Sequence, residues 1–61
     1  GGASRKETVL SALRNLDQPT EGDIVAYAEE RGVPASYTKK ALTKLVRAGK
    51  ASESRGQYRL L

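Results

Sequence analysis

Seven cationic side chains crowd the second half of this chain: Lys39, Lys40, Lys44, Arg47, Lys50, Arg55 and Arg59. Residues 33–61 set one acid, Glu53, against them, a net charge of +6. Residues 1–32 run the other way, with four basic residues against six acids and a net of −2. A charge separation of this kind makes a directed positive field, and the chemistry such a field serves is attraction of a polyanion. Covalent chemistry has little to work with. Cysteine and histidine are both absent, so the chain lacks a thiol nucleophile, a zinc–thiolate set, the usual general base and the commonest metal ligand. Asp17, Glu21 and Asp23 lie close together, but they suit a helix start, where acids complement the dipole, better than a metal site. No nucleophile–base pair and no Gly-rich phosphate loop is present. The composition therefore predicts no enzyme, no cofactor, no metal and no small-molecule substrate.

A single domain must position these cations, because 61 residues hold only one small core. The apolar stock is seven Leu, four Val and Ile24, with three Tyr as the only aromatics. No run is long enough to span a membrane and no signal-peptide pattern appears, which predicts a soluble intracellular chain without membrane partners. The absence of methionine, even at the start, predicts an excised or processed piece of a larger protein. Residues 1–3, Gly1-Gly2-Ala3, read as a linker end or cloning remnant, and residues 4–61 as the domain.

Ser4-Arg5-Lys6-Glu7 has capping-box spacing and predicts a helix running to Asn15 or Leu16. Val9, Ala12, Leu13 and Leu16 give it an apolar face, with Leu10 at the edge. Pro19 restricts its predecessor, so Gln18 is expected in a short extended segment. Thr20 is the expected N-cap of a second helix, with Glu21 and Asp23 in its first turn. Ile24, Val25, Tyr27 and Ala28 make its inner face, and Gly32 stops it. A third helix is expected from Ser36 to Ala48, with Thr38, Ala41, Leu42 and Leu45 inside, Val46 beside them, and Gly49 at its end. The period then changes. Lys50–Ser54 and Gln57–Leu61 predict a hairpin turning at Arg55-Gly56, with Ser54 opposite Gln57, Glu53 opposite Tyr58, Ser52 opposite Arg59 and Ala51 opposite Leu60. The fold class is mainly α with a small β-hairpin: three helices plus a two-stranded wing.

This order of elements resembles the winged helix-turn-helix family. Ser36-Tyr37-Thr38-Lys39-Lys40-Ala41-Leu42-Thr43-Lys44-Leu45-Val46-Arg47-Ala48-Gly49 looks like its recognition helix, and Arg55-Gly56-Gln57-Tyr58-Arg59-Leu60 looks like its wing tip and returning strand. The resemblance covers residues 4–61. It extends to transcription regulators, the small C-terminal domains of archaeal replicative helicases, and the globular domains of linker histones and nucleoid proteins. It implies binding of double-stranded DNA by a module of a larger protein. In that arrangement a helix enters the major groove and a hairpin follows the neighbouring backbone. Ser36, Tyr37, Lys39, Lys40 and Thr43 would then lie at or near base edges, Lys44, Arg47 and Lys50 at phosphates, and Arg55 and Arg59 on the wing. The third helix offers no Arg, Asn or Gln before Arg47, so modest sequence selectivity is expected. A protein-interaction module is the alternative, docking a basic partner on the acidic face of Glu21, Glu29 and Glu30. Single-strand RNA reading is disfavoured by the lack of paired exposed aromatics.

Overall fold

The structure, a computed structural model, describes residues 4–61; Gly1-Gly2-Ala3, the expected linker end, lie outside the described residues. Helix α1 spans Arg5–Asn15. The Ser4 hydroxyl caps it by accepting from the Glu7 amide at 3.1 Å. The Glu7 carboxylate does not complete the expected capping box. It accepts instead from Arg14 Nη1 at 3.1 Å, two turns along the same helix. Val9, Ala12 and Leu13 are buried as the periodicity requires, and Thr8 joins them, its hydroxyl satisfied by the Ser4 carbonyl.

Helix α2 spans Glu21–Glu30 and carries the full reciprocal cap. Thr20 Oγ1 accepts from the Asp23 amide, and the Asp23 carboxylate accepts from the Thr20 amide. Gly32 ends it with a φ of 84°, which lets the amides of Gly32 and Val33 turn back onto the Glu29 and Ala28 carbonyls. Helix α3 spans Ala35–Arg47. It begins one residue earlier than the sequence suggests. Pro34, already extended with a φ preset near the helical value, serves as N-cap without a side-chain bond, and this leaves Ser36 in the first turn. The helix ends in the same motif as α2: Gly49 has a φ of 75°, and the Lys50 amide bonds the Leu45 carbonyl.

Strands β1 (Ala51–Ser54) and β2 (Gln57–Leu60) pair antiparallel in the expected register, Ala51 with Leu60 through Ser54 with Gln57. Arg55 and Gly56 both have positive φ, the signature of the two-residue turn that matches strand twist. Glu53 reinforces the turn, its carboxylate accepting from the Gly56 amide at 2.7 Å.

Gln18 departs from expectation. It is left-handed, with a φ of 48°, rather than extended. The chain is already extended at Leu16, and the turn at Gln18 delivers Pro19 into the core, where it is fully buried. The Pro19 carbonyl then accepts from the Tyr58 amide at 2.8 Å, and Thr20 forms an isolated antiparallel bridge with Gln57. The linker thus adds a short third edge to the hairpin.

One core sits where the three helices meet, built from Val9, Ala12, Leu13, Ile24, Leu42 and Leu45 and closed by Ala51. Tyr58 and Leu60 pack on it half-buried. Val46, expected beside the inner stripe, is 38% exposed, because a residue four beyond Leu42 overshoots the narrow face of α3 that Thr38, Leu42 and Leu45 fill. The architecture is three helices followed by a C-terminal antiparallel hairpin, compatible with a winged-helix arrangement. No helix among the described residues is long and apolar enough to cross a membrane.

Candidate nucleic-acid interface

Burying Thr38, Leu42 and Leu45 decides what α3 presents to solvent. At 3.6 residues per turn, the residues opposite that stripe are Ser36, Lys40, Thr43 and Arg47, with Lys39 on one flank and Lys44 on the other. All six are exposed. Thr43 Oγ1 donates to the Lys39 carbonyl at 3.2 Å, so its hydroxyl is oriented along the helix and keeps acceptor capacity outward. Lys44 and Arg47 occupy the last turn, where cations suit the dipole, and no acid lies in the first turn.

The expected contact set is distributed over α3, the link to β1 and the hairpin. Lys50 is exposed just after the Gly49 turn, Arg55 stands at the hairpin tip and Arg59 lies on β2. The outer face of the hairpin, together with Gln18, frames a shallow recess of about 450 Å³ that Arg55 and Arg59 line. Tyr37 differs from the others in being half-buried. Its ring packs on the core, with the Arg5 guanidinium carbon of α1 5.8 Å from its centroid.

Electrostatic pairing separates the two halves of the molecule. In the acidic half, Arg14 pairs with Glu7 and Arg31 with Glu30. Arg31 also lies over the Tyr27 ring at 3.5 Å and donates to the Tyr27 carbonyl. Asp23 is used in the α2 cap. In the basic half, among the described residues, none of the seven cations has an acidic partner within ion-pair distance, and the one acid, Glu53, is committed to the turn. Tyr58, facing Glu53 across the hairpin, has its phenol pushed above the usual value of 10.0, first by burial and then by the charges of Glu21 and Glu53.

Two neighbours of this contact set, neither of them in it, escaped the sequence. Lys6 of α1 lines the same groove as Tyr37, Lys40, Lys44 and Lys50. Its three-residue spacing from buried Val9 was the available signal, since both fall on the α1 face that meets α3. Gln18 joins the hairpin face only because of its left-handed turn, for which the sequence carries no signal.

No curated protein and no solved structure matches the chain. A family match covers almost all of it, from the middle of the first turn of α1 to the last residue of β2. Because residues 7–60 fit the family described as DUF5817, C-terminal domain, the chain belongs to that family.

Proposed function

We propose that this domain binds double-stranded DNA through the outward face of α3, with the hairpin laid along the adjacent backbone. The observation that carries this is that, among the described residues, none of the seven cations of residues 33–61, which lie on adjoining elements, is ion-paired, whereas the first half holds both ion pairs, Arg14 with Glu7 and Arg31 with Glu30. Free surface lysines and arginines release condensed counterions when they meet phosphates, and this term supplies most of non-specific affinity. The outward face of α3 supports modest sequence selectivity. Lysine is a point charge, and Arg47, the only side chain there built for bidentate contact, stands at the C-terminal end. An isolated domain should therefore show a dissociation constant of about 10⁻⁴ to 10⁻⁶ M for mixed-sequence duplex.

The test is a ¹⁵N NMR titration with a short duplex at low and then moderate salt. Shifts are expected along residues 36–50 and at Arg55 and Arg59, fading as salt rises. The Lys39→Ala/Lys40→Ala double variant should bind all sequences more weakly and lower the salt slope by about one unit per lost phosphate contact. An unchanged affinity would sink the proposed orientation. Shifts confined to residues 20–31 would instead favour a protein partner on the acidic face of α2.

A further inference from the structure

Alongside α3, on the flank turned toward α1, lies an open groove of about 370 Å³. Four lysines stand around it: Lys6 from α1, Lys40 and Lys44 from α3, and Lys50 beyond the Gly49 turn. All four are exposed and, among the described residues, none is ion-paired. The floor is apolar, made by Ala41, Leu45, Ala48 and the Tyr37 ring. Among the described residues, no acid and no side-chain amide lines it.

We propose that this groove docks an acidic amphipathic segment of a partner protein, its aliphatic side chains on the floor and its carboxylates against the lysine rim. Charge complementarity sets the sign of the occupant, and the floor sets its class. A phosphodiester backbone has no aliphatic group to cover Ala41, Leu45 and Ala48. Base edges are read by arrays of polar donors and acceptors, and this floor offers the Tyr37 hydroxyl alone. Stacking of successive bases needs several aromatic faces, and here there is one, already approached by Arg5. A helical segment with apolar residues at i, i+3, i+4 and i+7 and acids on both flanks meets floor and rim together. Lysines accept carboxylates in many geometries, so the groove selects for composition more than for one sequence. Lys40, Lys44 and Lys50 belong to the duplex face as well, so peptide and DNA would compete for the domain, although the groove does not require DNA binding to act.

The probes are two synthetic peptides of equal length and charge. One carries Leu at i, i+3, i+4 and i+7 among glutamates, and the other has Ser in place of each Leu. In ¹⁵N titrations of the 61-residue chain, the Leu peptide should shift Lys6, Tyr37, Ala41, Lys44 and Ala48, and bind at least about tenfold more tightly than the Ser peptide. Equal affinity for both peptides, or shifts away from the groove, overturns the proposal. Lys6→Glu places an acid in the first turn of α1, where the dipole favours it, and it lies outside the proposed duplex contacts. It should weaken the Leu peptide about threefold to tenfold while leaving duplex affinity within about twofold. Equal loss of both ligands would make the groove part of the nucleic-acid surface and overturn the proposal. Peptide binding without any duplex binding would overturn the proposed function and leave the groove standing.

Discussion

Arg55 holds a left-handed conformation, with a φ of 54°, at the tip of the hairpin. Glycine takes that conformation without a Cβ clash and asparagine offsets the clash by hydrogen-bonding locally, whereas arginine has neither advantage. Arginine at this position is therefore better accounted for by its charge than by the turn. Arg55→Asn should stabilise the domain by about 0.5 to 1 kcal/mol in thermal melts. In the same variant the duplex salt slope should fall by about one unit. A variant both less stable and unchanged in DNA binding would leave Arg55 with neither role. Tyr58 makes a different statement. Its folded pKa lies above 10.0, so the native state keeps a proton that the unfolded chain begins to release near that pH. The contribution to stability is fully present below the ordinary tyrosine value and is lost as pH climbs through the raised one. Urea melts well below and well above pH 10.0 should show a steeper alkaline loss in the native protein than in Tyr58→Phe. Equal losses would place the origin of the alkaline loss elsewhere, in the lysines or the other tyrosines.

Glycines at helix ends illustrate how an element is stopped as well as started. Gly49 has a φ of 75° and open space where a Cβ would stand, so only conformation opposes a side chain there. Gly49→Ala should cost about 1 to 2 kcal/mol. Gly22, inside α2, has helical neighbours and only Thr20 Oγ1 nearby at 3.8 Å, and Gly22→Ala should stabilise by up to about 1 kcal/mol. Denaturant melts of the pair check both signs. Elements with such local signals were legible in the sequence. Thr20 and Asp23 announced α2, Gly32 and Gly49 marked two helix ends, and the alternation around Arg55-Gly56 gave the hairpin register. What escaped depends on distant partners. Gln18 turns left-handed because Pro19 must reach both the core and the Tyr58 amide, neither of which lies nearby in the chain. The Thr20–Gln57 bridge is too short to have a period. Ser36 reads as the start of α3, yet Pro34 already supplies the entry geometry and the helix begins at Ala35. The cations of α3 were readable as one cluster, but their division between an outward face and the α1 flank needed the burial of Thr38, Leu42 and Leu45.

For the molecule as a whole, the margin is narrow. Domains carry about 0.05 to 0.15 kcal/mol of stability per residue, so a chain this short holds only a few kcal/mol. Leu42 is 1% exposed at the meeting point of the helices. Leu42→Ala should cost about 2 to 5 kcal/mol, enough to populate the unfolded state, and circular dichroism at 25 °C should register lost helix. The charge distribution makes the same point about economy of roles: Asp23 caps, Glu7 and Glu30 pair and Glu53 braces the turn, while among the described residues no cation of the second half is ion-paired. The segment joining α1 to α2 takes on the most. Thr20 caps α2 with its side chain while its backbone bridges Gln57, and Pro19 beside it fills the core while its carbonyl holds Tyr58. A two-stranded hairpin alone is marginal in water. Here its free edge is pinned to the residue that starts another helix, so peeling the hairpin away also strips backbone partners from the α2 entrance. The hairpin and the entrance of α2 therefore open together, as one cooperative unit, and whatever grips the hairpin from outside also steadies the start of α2.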